Sequence, residues 1–471
     1  MRQPIATYGH GRKSSLLQGK SWLISALLVS GLLSACGGDS GPQSGATSVL
    51  AGPSPQANSA AATTRWATTW EAAMLQNGLQ NFDSDTTRTR IHTSAGGSGV
   101  RIRLSNVFGT QTMIVDSANV ALPDTSNASD PTAINTATLH QVTFNNGETF
   151  AEVPPGEELL SDPVAMNVPK LSDLTVTMHF NGLTQYADGH SDSVTPLPGL
   201  YVVRGQNVAT NPSFSNLSFE TFNGAFSLSE VEVQVPAQTR VVIAMSESIT
   251  DGRGAGDIAH TWPAAMAGLA NAGNNTVAVG NAGIGGNSLF NTTIGGPGCC
   301  GVDLLDRFQR DVLSRNPTDI VILAGDNDLG GHSAEDIIAR YQILIEAAHA
   351  QHIKVYGGTN TPIGDIVGLN GQPVSTGFYT PANEAERQQL NAWIQAPGHY
   401  DGVIDFSTVV GNPSVTPLGI ATACYDPESP IHMNSQGYTA MGTLAYDVLF
   451  GKTAKPVAPC NSLPFPPATT S

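Results

Sequence analysis

Basic residues are scarce in this chain: 21 Lys and Arg stand against 38 Asp and Glu over 471 residues. So acidic a protein lacks the cationic patches that nucleic acid or an anionic membrane surface would require. Cysteine is sparse as well, five in all, and no His/Cys grouping has zinc-site spacing, so no structural metal is expected. Long apolar runs are missing beyond residue 33. No later segment reaches the ~20 residues of a membrane-spanning helix.

The N-terminus is of a different kind. Arg2, Arg12, Lys13 and Lys20 precede an apolar run from Trp22 to Leu33. A run of about 12 residues behind a basic leader suits a signal peptide rather than a membrane span. It ends in Leu33-Ser34-Ala35-Cys36, which resembles a bacterial lipobox and implies export with a lipid on Cys36. By the same analogy, Gly37 after the cysteine implies the outer membrane of a Gram-negative cell, with membrane contact through the anchor alone. Removing residues 1–36 takes away four bases and no acid, leaving 17 against 38 and a formal charge near −21. Residues 37–65 are Gly, Ser, Ala, Pro and Thr with few large apolar side chains, the composition of a flexible tether. About 400 residues remain, enough for two domains.

Their grammar divides near Pro236. From Trp66 onward Val100-Arg101-Ile102-Arg103-Leu104, Leu174-Thr175-Val176-Thr177-Met178 and Val231-Glu232-Val233-Gln234-Val235 alternate apolar with polar. That is the period of half-buried strands, and with Gly, Pro, Asn and Asp clusters between them it predicts an all-β sandwich or jelly roll over 66–236. The next segments are continuous apolar runs: Val241 to Met245, Thr276 to Val279, Ile320 to Ala324, Ile353 to Tyr356 and Val403 to Phe406. Such runs suit strands buried on both faces of a parallel sheet. Helical segments alternate with them at about 258–272, 302–314, 333–351, 382–396 and 434–450. This predicts a doubly wound α/β domain over 237–452, followed by a tail at 453–471. Ligands of such a sheet sit beyond the carboxyl ends of its strands.

Four segments fall there: Ser246 to Gly252, Asn281 to Asn287, Gly325 to Asp328, and Ser429 to Asn434. Together they bring a serine, a Gly-rich turn, an asparagine and a histidine to one sheet edge. Acyl transfer needs a nucleophile, a base and donors for a developing oxyanion, and this set can supply all three.

Ser248-Ile249-Thr250-Asp251-Gly252, Asn281 to Asn287, Gly325-x-Asn327-Asp328 and His432-x-Asn434 with Gly437-Tyr438 resemble the four blocks of the SGNH (GDSL-type) hydrolases. Trp262-Pro263, Asp306-Arg307-Phe308, Arg310 to Leu313 and Asp401 to Phe406 extend the similarity. Trp66 to Trp70, Val100 to Gly109 and Leu160 to Val164 are similar to the β-sandwich that precedes the hydrolase in exported members. The resemblance implies a flavodoxin-like SGNH domain acting as a serine esterase without a cofactor, on small-molecule or polysaccharide esters, with carbohydrate deacetylation among the options. It implies Ser248 as nucleophile and His432 as base. The Ser248 and Gly286 N–H groups and the Asn327 amide become the oxyanion hole.

The chain departs from that pattern at three places. Ser246-Glu247-Ser248 replaces Gly-Asp-Ser, Met433 replaces a proline, and Ser429 occupies the position three before the histidine where the family has its acid. The His-orienting group is then Ser429 or a backbone carbonyl, or Asp426 or Glu428 reaching in. An impaired enzyme that binds surface glycan is the alternative. An acyltransferase is a third possibility. Cys299, Cys300, Cys424 and Cys460 are even in number and suggest two disulfides in an exported protein, with pairing open. Oligomeric state is not legible.

Overall fold

The computed structural model describes residues 63–191, 199–273, 275–290, 300–451 and residue 460. The signal peptide, Cys36, Cys299, nearly all of the tether and the tail apart from Cys460 lie outside the described residues.

The N-terminal part is antiparallel β. One sheet of four strands runs Thr64–Glu71, Leu228–Pro236, Val100–Ser105, Glu158–Leu160 in spatial order. A second, nine-stranded among the described residues, contains Thr86–Thr93 between Gly199–Val203 and Ser172–Phe180. Alternation decides which side chains meet between the sheets. Ile102, Leu104, Val231 and Val233 point in from the first, and Val120, Val176, Phe180 and Leu200 from the second, all buried. Thr64 and Arg65, expected in the tether, instead pair with Pro236 and Val235 at the end of the first sheet. The short Thr-Arg segment satisfies its backbone in that ladder, which composition alone does not reveal.

The C-terminal part is the doubly wound α/β fold. Its five parallel strands lie in the order Val277–Gly283, Arg240–Ser246, Asp319–Leu323, Lys354–Gly358, Gly402–Ile404. The first strand in sequence therefore sits between the second and third, and the chain winds outward from it in both directions. That switch point opens a crevice beyond the strand ends. Two of the boundaries that differ from the sequence reading have a clear local cause. The segment 258–272 is broken at Thr261, which caps the helix Trp262–Ala270 ahead of Pro263. The apolar run 403–406 is strand only to Ile404, because Asp405 accepts the Thr408 N–H and starts a short helix Phe406–Val410.

The described residues all belong to one compact unit. Val277–Gly283 is the edge of the parallel sheet, and its exposed ladder is occupied by Ser94 of the β part. The Ser94 hydroxyl accepts from Val279 N (2.9 Å) and donates to Val279 O (3.0 Å). Arg315, fully buried, reaches across to Glu71, Glu158 and Glu230 at 3.1–3.3 Å. Among the described residues no helix is long and apolar enough to cross a membrane, and no cluster of His, Cys, Asp or Glu is placed to hold a metal ion.

Candidate active site

The strand Arg240–Ser246 delivers its chain end into the crevice, where Glu247 begins a one-turn helix Ser248–Asp251. The Ser248 hydroxyl lies 2.7 Å from His432 Nε2. On the other side of the ring, His432 Nδ1 is 2.8 Å from the Ser429 hydroxyl. Either tautomer satisfies both contacts, since each hydroxyl can donate or accept; in the one with the proton on Nδ1, Nδ1–H donates to Ser429 and the Nε2 lone pair accepts from Ser248. A serine proton held against an imidazole in this way is available for transfer.

The loop carrying His432 is closed on itself. Asp426 N donates to His432 O (2.9 Å), His432 N to Ser429 O (2.8 Å) and Asn434 N to Cys424 O (2.8 Å). Asn434 caps the final helix Ser435–Phe450, and Cys424 is bridged to Cys460. Of the three sequence candidates, Ser429 is the one that meets the ring. The Asp426 carboxylate accepts from Glu428 N at 3.1 Å instead, and Glu428 is exposed. Burial, and then the Glu428 charge, push the Asp426 pKa above its ordinary value, against the pull of Arg253.

The other two strand ends complete the constellation. Gly286 adopts a left-handed backbone, φ 72°, at the turn after Val277–Gly283. Gly283 is required for a different reason: a Cβ there would lie 2.2 Å from Asp251 N. Asn327 follows Asp319–Leu323, and its Nδ2 donates to Asn287 O at 2.9 Å, leaving its second amide hydrogen for the cleft. Neither Ser248 N nor Gly286 N meets an acceptor among the described residues. Ser248, Gly286, Asn327 and His432 line one cleft of about 460 Å³.

Residues 247–440 match the family model of GDSL-like lipases and acylhydrolases. This part of the chain is a GDSL-like acylhydrolase domain. Its family hydrolyses esters through serine. Solved structures similar to it include a lipase/acylhydrolase from Enterococcus faecalis at 18% identity, covering 44% of this chain and 94% of that one, TM-score 0.32. A G-D-S-L lipolytic protein from Veillonella parvula is similar at 18% identity, covering 45% and 98%, TM-score 0.32. A psychrotrophic esterase from Pseudoalteromonas is similar at 14% identity, covering 45% and 96%, TM-score 0.30. None of the curated proteins matches this chain.

Several groups that hold the acylhydrolase domain's site were given no role from sequence, although Ser246, Glu247 and Arg307 were named there. Glu247, the longer residue in place of aspartate, accepts from Gly325 N (2.7 Å) and Asn327 N (3.2 Å), tying the Ser248 turn to the Asn327 loop. Burial, and then Asp328 and Asp326, raise its pKa well above the ordinary carboxyl range. Arg307, fully buried, donates to Ser246 O (2.9 Å), Ala282 O (2.7 Å) and Asn287 Oδ1 (2.9 Å), fastening two strand ends together. Ser246 sits in that clamp, 1% exposed, so its side chain is accommodated at the turn.

A third contact comes from the β part. Asp251 accepts from Gly285 N (3.0 Å) and meets His190 Nε2 at 3.1 Å, while His190 Nδ1 donates to Ala73 O (2.7 Å). The carbonyl fixes a proton on Nδ1, so a second proton on Nε2 makes an imidazolium facing Asp251. Burial alone would lower the His190 pKa, but the Asp251 charge and hydrogen bond prevail and raise it. A separate cavity of about 320 Å³ lies behind this pair, lined by Trp70, His92, His190 and Asp251 and by none of the four cleft residues above. Cys300 lines the cleft that holds Ser248 and His432 and is disulfide-bonded.

Proposed function

We propose that this chain is a carboxylic ester hydrolase working through an acyl-enzyme on Ser248, with a neutral Ser–His–Ser relay. The reading is carried by the 2.7 Å contact between Ser248 and His432, with Ser429 at 2.8 Å behind the ring. His432 Nε2 takes the Ser248 proton as Oγ attacks the ester carbonyl carbon. The oxyanion is held by Ser248 N–H, Gly286 N–H and Asn327 Nδ2. On collapse the C–O bond to the alcohol breaks, and His432 returns the proton to the leaving oxygen. Water repeats the sequence on the acyl-enzyme, releasing the acid and restoring Ser248. Ser429 accepts from Nδ1–H in the working tautomer and adds a dipole, not a charge, to stabilise the imidazolium.

The substrates are small-molecule or polysaccharide esters, carbohydrate acetates among them, and the enzyme is exported and lipid-anchored through Cys36 at the outer membrane. Support for the anchor is the basic leader and the lipobox-like Leu33-Ser34-Ala35-Cys36. The impaired glycan-binding alternative drew on the missing acid. Among the described residues, the Ser429 contact with His432 Nδ1 supports hydrolysis over that alternative.

Hydrolysis of p-nitrophenyl acetate and butyrate by the full chain in detergent tests the reading. Turnover is expected, lost in Ser248→Ala and reduced on the order of 100- to 1,000-fold in Asn327→Ala. Equal rates for wild type and Ser248→Ala would contradict it.

A further inference from the structure

Among the described residues, Arg253 is the one Lys or Arg lining the cleft that holds Ser248 and His432. Its backbone is fixed, N donating to Ser248 O at 3.1 Å and O accepting from the Tyr438 hydroxyl at 2.7 Å. The half-buried side chain lines the same cleft as Ser248 and His432. Its Nε is buried without a partner, and no hydrogen bond or ion pair engages the guanidinium among the described residues. Leaving such donors unmatched is costly.

The neighbouring acids have other commitments. Glu247 accepts from Gly325 N and Asn327 N, and Asp326 from Asn360 Nδ2 (3.1 Å) and Thr361 Oγ1 (3.3 Å). Asp426 lies near enough to feel Arg253 but takes its hydrogen bond from Glu428 N and forms no ion pair with it. The position three before His432, where a carboxylate would contribute a negative charge, holds Ser429. During proton transfer the cleft therefore contains a second cation, His432 imidazolium, facing a neutral hydroxyl.

Resting on the hydrolase reading, we infer that the cleft selects esters bearing a carboxylate, which Arg253 binds through its open donors. A guanidinium presents a planar fork matched to a carboxylate, and a pair formed in a partly dehydrated cleft is worth more than one on the surface. The carboxylate can come from the acyl side, as in a half-ester of a dicarboxylic acid, or from the alcohol side, as in an acylated hydroxy acid. The chemistry at Arg253 is the same.

Two matched pairs of esters separate these sources. 4-Nitrophenyl hemisuccinate is compared with its methyl ester, and 4-acetoxybenzoate with methyl 4-acetoxybenzoate, using the full chain. In at least one pair kcat/KM should favour the anion by about tenfold or more, chiefly through KM, and the preference should shrink as salt is raised. Arg253→Gln should collapse that ratio, and Arg253→Lys should keep part of it. Thermal melts of both variants check folding. A wild-type ratio of one or less in both pairs, or the same ratio in Arg253→Gln, would overturn the inference while leaving the hydrolase intact. No Ser248-dependent turnover of any of the four esters would bring down the hydrolase reading and this inference with it.

Discussion

At the scale of single residues, Ser429 sets the character of the site. Its hydroxyl lies 2.8 Å from His432 Nδ1 and accepts the Nδ1–H in the working tautomer of the proposed mechanism, the contact that a carboxylate would make with full charge. Removing it in Ser429→Ala costs one neutral hydrogen bond and should lower kcat about five- to tenfold, not abolish it. Ser429→Asp places a negative charge against the ring, favouring the protonated imidazole. The acid limb of the kcat/KM profile should then move up by about one pH unit. Coincident profiles for wild type and Ser429→Asp would show that Ser429 does not touch the working base. Sequence left Ser429, Asp426 and Glu428 open because all three are close along the chain. The choice depends on the loop's closure, in which Asp426 N is drawn to His432 O and Ser429 is turned under the ring.

Among elements, the parallel strands made most of the site legible. Continuous apolar runs mark strands buried on both faces, and their ends are where ligands bind, so Ser248, Gly286 and Asn327 could be placed together from sequence. Asp405 was misread because Val403 to Phe406 is apolar on both sides of a helix cap. His190 carried no signal at all. It lies in a strand of the β part, Leu183–Ser191, and reaches the α/β part only through the packing of the two. Its pairing with Asp251, which in turn holds Gly285 N beside Gly286, gives a pH prediction. The folded pKa of His190 is raised, so its stabilisation is complete below the unfolded value of about 6.5 and is lost as pH rises through the higher folded value. The melting-temperature gap between wild type and His190→Gln should therefore be widest below about pH 6.5 and narrow above it. A gap that widens with rising pH would mean that the buried ring is neutral.

For the whole molecule, the β part and the acylhydrolase domain share a core, and Arg315 is the charged joint between them. One guanidinium faces Glu71, Glu158 and Glu230, with Arg103 also on Glu230 at 2.6 Å. Two arginines for three acids favour a proton on one of the acids. Burial, offset in part by Arg315, raises Glu71 to about 8, while Glu230, with both arginines, is lowered. Arg315→Met would strip the buried acids of a shared partner and should destabilise the protein by roughly 3–5 kcal/mol. Denaturant unfolding followed at aromatic residues of both parts should show a single, shifted transition; two separated transitions would mean that the parts unfold independently.

Ser248 as the acyl-carrying residue is the claim on which the account turns, and covalent labelling tests it most directly. The full chain would be treated with a fluorophosphonate and the modified peptide identified by mass spectrometry. The account predicts one phosphonyl group on Ser248, formed at a rate that falls when His432 is replaced by Ala, with ester turnover lost in proportion to labelling. Undiminished ester turnover in a protein fully labelled at Ser248, or labelling confined to another residue, would contradict it.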